Sequence, residues 1–257
     1  MKQELCKILE QRELCPGYFY LRLNWETTCS EFIPGQFVEI KINESNDPLL
    51  RRPFSIFDIY ENSFVVVYRV IGYGTTLLSK KKQGEYLDVI GPLGNGYNLE
   101  EEKLKKEESP VLVGGGTGSA SLYYCAKKII SKEKSIRVFL GFKNTDDLFC
   151  LKEWNNLSVD LTIATEDGSY GKKGFVTDIL PLNLDNSVIY ACGPKEMFKS
   201  LRNRYLQTDV FASFEEYMAC GFGICCGCVI KVIENNQEIY KKVCKDGPVF
   251  NLQNVIL

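Results

Sequence analysis

Val111-Leu112-Val113-Gly114-Gly115-Gly116-Thr117-Gly118-Ser119-Ala120-Ser121-Leu122-Tyr123-Tyr124 is the stretch that decides how the chain is read. An apolar run, a glycine turn and a helix-forming run in that order predict strand, tight turn and helix, which aim backbone N–H groups and a helix N-terminus at a diphosphate. A glycine loop also serves as a bare packing device, so its neighbours must carry the argument. Apolar runs at 136–140, 161–164 and 188–191 alternate with helix-like segments at 119–130, 175–180 and 195–206, which implies βα units and a parallel sheet. Two further loops, 164–169 and 191–197, follow carboxyl ends of strands, where open α/β sheets bind ligands. The usual acid at the tip of the second strand is missing from Gly141-Phe142-Lys143-Asn144, so a dinucleotide must be held differently than in the common dehydrogenases.

Upstream the pattern is different. Tyr18 to Leu23, Phe37 to Ile42, Ser63 to Val70 and Tyr86 to Ile90 are short runs rich in aromatic and β-branched residues. Pro16-Gly17, Pro34-Gly35, Gly72-Tyr73-Gly74 and Gly91-Pro92-Leu93-Gly94 punctuate them, and the whole reads as an antiparallel barrel. Arg51-Arg52-Pro53-Phe54-Ser55 falls between these barrel strands, where an arginine and a hydroxyl can reach a phosphate and a ring edge. The mixed-charge run Glu100 to Glu108 reads as a solvated connector and a domain boundary. The expected division is 1–100 for the barrel, 101–210 for the α/β domain and 211–257 for a cysteine-rich tail.

With 257 residues, 45% hydrophobic and 25% charged, the composition is that of a globular protein rather than a disordered one. The net charge of −2 leaves no basic footprint for nucleic acid. No run suggests a secretory leader or a membrane span, so the expected location is the cytoplasm. Eleven cysteines and no histidine are the unusual counts. Without imidazole there is no His-containing zinc or Rieske-type site and no histidine for acid–base work. In a reducing compartment, clustered cysteines are ligands or redox groups more often than disulfides.

Five cysteines lie between Cys220 and Cys244. Cys220, Cys225, Cys228 and Cys244 are spaced C-x4-C-x2-C-x15-C, the loop spacing of plant-type [2Fe–2S] ligation. Gly221, Gly223 and Gly227 let the backbone pass close to such a cluster, so that its amides reach the sulfurs. A zinc ribbon would present two short knuckles, and only one is here. Counting Cys226 in place of Cys225 gives spacings that fit no cluster. Cys6, Cys15, Cys29, Cys125 and Cys150 read as small core residues.

Taken in order, R-P-F-S at 52–55, Y-R-V-x-G-x-G-T at 68–75, G-P-L-G-N-G at 91–96, the glycine loop, C-G-P-x-x-M at 192–197 and the cysteine pattern resemble the ferredoxin reductase superfamily. More closely, the chain resembles the electron-transfer subunits of NAD-dependent dihydroorotate dehydrogenase B. That resemblance spans the chain and implies an FAD-binding barrel, a Rossmann-like NAD domain and a small C-terminal [2Fe–2S] domain. It implies Arg52, Pro53, Phe54 and Ser55 around the flavin ring and phosphate, with Val67, Tyr68, Arg69, Gly74 and Thr75 along the rest of FAD. It also implies Gly115, Gly116, Thr117 and Gly118 on the NAD diphosphate, and Cys192, Gly193 and Pro194 near the nicotinamide, with Ser55 and Cys192 as the candidate catalytic residues. Ser121 stands where the family often has proline. Glu166 and Asp167 hint at NAD over NADP by disfavouring an added phosphate. The implied partner is an FMN-containing catalytic subunit that oxidises dihydroorotate, in a heterotetramer with two copies of each chain. Two rival expectations are an NAD(P)H:ferredoxin or sulfide oxidoreductase subunit and a zinc-stabilised, non-catalytic binding module.

Overall fold

The computed structural model of the chain describes residues 1–26, 29, 32–45, 47–99, 110–132 and 134–257. The charged connector at 100–108 lies outside the described residues. Six strands, β1 (Lys2–Cys15), β2 (Tyr18–Asn24), β3 (Phe37–Lys41), β4 (Arg52–Tyr60), β5 (Ser63–Arg69) and β6 (Tyr86–Leu93), close an antiparallel barrel in the order β1-β2-β5-β4-β3-β6. Alternation sets the inside: Val38, Ile40, Phe54, Ile56, Phe64 and Val66 share the barrel core. A short helix, α1 (Tyr73–Ser79), follows β5.

Two strands differ from the sequence reading. β1 is absent from it, because its polar residues hide the alternation around buried Cys6 and Ile8. Arg52 to Ser55 are the start of β4 itself, with Phe37 opposite Ser55 and Glu39 opposite Pro53. Pro53 is tolerated there because β5 pairs with β4 only from Ile56 onward, so this end of the strand is an edge.

The second layer is a seven-stranded sheet built from β7 (Val111–Gly115), β8 (Arg137–Phe142), β9 (Asp160–Thr165), β10 (Lys172–Lys173), β11 (Val188–Cys192), β12 (Asp209–Ser213) and β15 (Val249–Asn251), in the order β10-β9-β8-β7-β11-β12-β15. All pairs are parallel except β12 with β15. The chain runs outward from β7 in both directions, which makes the β7/β11 edge the point where strand order reverses. Helices α2 (Gly118–Ile130), α3 (Leu151–Asn155) and α4 (Lys195–Arg204) connect the strands. The helix-like segment expected at 175–180 is only a 3-10 turn at Val176–Ile179. The Asp178 carboxylate accepts from the Phe175 N–H (2.8 Å) and closes this turn, and Pro181 holds Leu180 out of the helical region.

Helix α2 joins the two layers. Tyr123 stacks on Phe57 of β4 at 4.5 Å between centroids, and Lys127 pairs with the buried Asp58 carboxylate at 2.7 Å. The cysteine-rich tail forms a hairpin, β13 (Val229–Glu234) with β14 (Gln237–Lys242), and then returns as β15 to complete the sheet. Among the described residues no helix is long and apolar enough to cross a membrane.

Candidate functional site

Four thiols of the tail come together as two pairs. The Cys225 N–H donates to the Cys220 sulfur at 3.4 Å, and the Cys244 N–H donates to the Cys228 sulfur at 3.4 Å. A third amide, that of Gly227, faces the Cys225 sulfur at 3.5 Å. Burial works to raise the Cys220 thiol, yet the backbone N–H groups of Cys225, Phe222 and Ile224 outweigh it and bring the thiol down to about 6. Cys244 goes the other way: burial and then the neighbouring Cys228 push it up to about 12. The loop can turn this sharply because Gly221 and Gly223 have φ of +76° and +90°. The Lys242 ammonium fastens it by donating to the Gly223 carbonyl at 2.7 Å. Cys226 is exposed and outside both pairs. Two thiols per iron is what a [2Fe–2S] centre requires, since bridging sulfides fill the other positions, so the donor set fits that group. Among the described residues, no three His, Cys, Asp or Glu side chains are gathered tightly enough around one point for a single ion.

The first cysteine turn rests on the barrel. Glu39 of β3 points outward on the face it shares with Pro53 and lies against Gly221, where a Cβ would strike the glutamate side chain. Its side chain is 1% exposed and neither carboxylate oxygen has a hydrogen-bond partner. Burial raises this carboxyl to about 7, with Arg51 pulling it down and Cys220 pushing it up. Nothing in the sequence marks Glu39, because a charged residue between Val38 and Ile40 reads as a solvent-facing strand position.

The R-P-F-S and G-T motifs are also brought together. A Cβ on Gly74 would lie 2.9 Å from the Arg52 Nε and would have to displace the guanidinium, which donates to the Leu50 carbonyl at 2.6 Å. Thr75 takes the Ile71 and Gly72 N–H groups on its hydroxyl at 3.0 and 3.2 Å, which locks the turn into α1. Phe54 faces the barrel core, leaving half-buried Pro53 and Ser55 on the outer face. Along β5 the residues diverge. Val67 packs toward the sheet core, and Arg69 is exposed, 3.9 Å from Asp147. Tyr68 is buried beside Phe19 and Phe54, and its hydroxyl has no partner. An orphaned phenol and a guanidinium seated over a glycine fit a bound flavin nucleotide.

The three loops at the sheet's carboxyl edge meet around a cleft of about 350 Å³, lined by Gly115, Gly141, Glu166, Phe175, Pro194 and Met197 among others. A Cβ on Gly118 would lie 2.5 Å from the Cys192 carbonyl oxygen, and one on Gly115 would lie 2.9 Å from Pro194 Cδ. The glycine loop and the Cys192-Gly193-Pro194 loop therefore press on each other, leaving a cradle that fits a dinucleotide. Gly116 has φ of +54° and anchors its N–H to the Gly141 carbonyl at 2.8 Å. Cys192 does not line the cleft. Its thiol is 1% exposed, held by Ser121 and Ser213, and pushed up to about 12 by burial and by Glu215.

Comparison with known proteins bears on what occupies these places. The family model for the iron–sulfur cluster binding domain of dihydroorotate dehydrogenase B matches residues 215–256, and that for an oxidoreductase NAD-binding domain matches residues 112–203. The dihydroorotate dehydrogenase B (NAD(+)) electron transfer subunit of Geobacillus sp. (strain WCH70) is 41% identical, with all of both chains covered. The chain belongs to that family. The Bacillus mycoides (strain KBAB4) member is 39% identical, again over all of both chains. A solved structure described as an NADH-dependent reduced ferredoxin-NADP oxidoreductase superposes with a TM-score of 0.83 at 31% identity, covering 98% of this chain and 90% of the other. Phthalate dioxygenase reductase shares the fold, with a TM-score of 0.68 at 14% identity, covering 93% of this chain and 76% of that one. As a member of the dihydroorotate dehydrogenase B electron-transfer family, this chain is an oxidoreductase subunit with an NAD-binding and an iron–sulfur segment, and it works with a catalytic partner subunit. The zinc-stabilised, non-catalytic reading gives way to that membership.

Proposed function

We propose that this chain carries electrons between NAD(H), FAD and a [2Fe–2S] cluster, to or from the FMN of a dihydroorotate-oxidising subunit that serves UMP synthesis. The observation that carries the reading is the pairing of Cys220 with Cys225 and of Cys228 with Cys244, with the turn of the first pair packed on the barrel strand that runs beside Pro53. The bound flavin supplies the exchange between two-electron hydride chemistry and the one-electron steps of the cluster.

The chain's own residues bind and orient. Arg52 offers a charge-assisted donor to a phosphate, and Pro53 and Ser55 form the surface for the ring, with Phe54 fixing the strand from inside the barrel. Of the β5 residues only Tyr68 turns a free group, its unpartnered hydroxyl, to the same nucleotide, while Val67 and Arg69 flank it with side chains directed to the sheet core and to Asp147, and Gly74 and Thr75 keep the turn open for Arg52. Gly115, Gly116, Thr117 and Gly118 present the loop and the start of α2 to the NAD diphosphate. Gly193 and Pro194 bound the nicotinamide end. Ser55 lies at the flavin face, whereas the buried Cys192 thiol stands behind the nicotinamide cleft as a neutral packing group that holds no proton in play. Cys220, Cys225, Cys228 and Cys244 ligate the irons. Hydride transfer between stacked rings asks for positioning rather than acid–base work, which suits a chain without histidine.

The barrel to residue 100, the α/β segment 101–210 and the tail 211–257 serve FAD, NAD and the cluster in turn. The complex is a heterotetramer of two copies of each subunit in the cytoplasm. Anaerobic affinity purification tests this. The expected result is a co-purifying FMN subunit and NAD-dependent orotate formation only when both are present. The 31% identity with the ferredoxin-NADP oxidoreductase chain favours one alternative, a subunit that reduces ferredoxin, and recovery of such a partner with no dihydroorotate oxidation would select it.

A further inference from the structure

The G-P-L-G-N-G segment at the end of β6 is not used by any of the binding roles above, yet it touches the turn that bears the fourth cysteine. That turn is a rigid unit. The Lys242 carbonyl accepts from the N–H groups of Lys245, Asp246 and Gly247, and the Asp246 carboxylate accepts from the Lys242 N–H at 2.7 Å. Asn95 grips its far side. Its main-chain N–H donates to the Gly247 carbonyl at 2.6 Å, and its amide Nδ2 donates to the carbonyls of Lys245 at 2.9 Å and Asp246 at 3.3 Å. Three consecutive carbonyls just beyond Cys244 are therefore held by one residue of the barrel. Gly94 closes the gap beside it: φ is +75°, and a Cβ there would lie 2.6 Å from Pro248 Cδ and 3.0 Å from the Phe37 ring. Phe37 in turn pairs across the strand with Ser55.

The contacts form one short series, from Ser55 through Phe37 and the Gly94-Asn95 turn to Lys245 and Cys244. We propose that Asn95 is a positioning residue for electron transfer, fixing the spacing between the iron–sulfur centre and the flavin by holding the Cys244 turn on the flavin-bearing barrel. This rests on the function proposed above. The Glu39–Gly221 contact provides a second point of support at the Cys220 end, so each of the two thiol pairs has one member registered to the barrel. Electron transfer falls steeply with distance because it depends on orbital overlap, so a small shift of this turn is felt in the rate while hydride transfer to the flavin is untouched.

The test compares the parent with Asn95→Ala, Asn95→Ser and Asn95→Asp, the last of which sets a carboxylate oxygen against the Lys245 carbonyl. Flavin and iron content are measured first. A parent chain without flavin or without iron sinks the function reading itself, independently of Asn95. In loaded variants mixed anaerobically with NADH, flavin reduction keeps the parent rate. Onward reduction of the cluster slows severalfold, because overlap across the gap falls as the turn shifts. Hydrogen exchange at residues 245–247 also speeds up, while the EPR signature of the reduced cluster is kept. Unchanged cluster reduction with a lowered melting temperature would show a merely structural contact and overturn the proposal. So would loss of the cluster from all three variants with flavin retained.

Discussion

Glu39 shows how much a single side chain can say about the site. A carboxyl with both oxygens buried and unpartnered is costly, and its raised value of about 7 expresses that cost. Because the folded value lies above the ordinary 4.5, the folded chain holds this proton more tightly than the unfolded one. The stabilisation is fully present below about pH 4.5 and is lost as pH rises through about 7. Glu39→Gln removes the dependence. Denaturation curves at pH 8 should show the variant more stable than the parent by up to about 3 kcal/mol, the two converging toward pH 4.5. Parallel curves from pH 5 to pH 8 would show that the carboxyl is solvated after all. Arg52 makes the complementary prediction. Losing a charge-assisted phosphate contact of about 1.5–3 kcal/mol should weaken FAD binding roughly tenfold to a hundredfold in Arg52→Ala, read by titrating the apoprotein with FAD. Full flavin occupancy in the purified variant would remove Arg52 from the phosphate site.

At the scale of elements, the glycine loop between β7 and α2 has the tightest tolerance. A methyl at Gly118 would meet the Cys192 carbonyl at 2.5 Å, so Gly118→Ala must push the two loops apart. The expected outcome is a loss of about 1–3 kcal/mol in stability and a raised KM for NADH with cluster content unchanged, whereas parent-like NADH kinetics would mean that this contact does not shape the cleft. This strand–turn–helix was readable in the sequence because all its determinants are local: an apolar run, then glycines, then helix formers. The cysteine spacing was readable for the same reason, since one loop supplies three of the four thiols. What escaped depends on distant partners. β4 was missed at Arg52 to Ser55 because Pro53 reads as a breaker, and only β3 makes that end a strand. The short 3-10 turn at Val176–Ile179 was overestimated because apolar spacing does not reveal the Asp178 side chain closing it. Glu39 and Asn95 gained their importance only when the tail folded back onto the barrel.

The three parts of the molecule are tied to one another by packing, an ion pair and strand pairing. Tyr123 on Phe57 and Lys127 on Asp58 hold the sheet to the barrel. β15 completes the sheet from the far end of the cysteine segment. Cutting the proposed electron path at one point should leave the rest running. Cys225→Ser should lose the cluster and electron delivery to the partner while NADH still bleaches the flavin, seen by absorbance and iron content. Undiminished delivery would mean that Cys225 is not a ligand.

The central measurement is the order of events when anaerobically purified protein, with its flavin and iron–sulfur centre in place, is mixed with NADH. Rapid-scanning absorbance with freeze-quench EPR should record loss of the flavin bands first and then the signal of a reduced [2Fe–2S] centre. A metal centre that stays silent after the flavin is fully reduced, or tail cysteines found to hold zinc, would contradict the account.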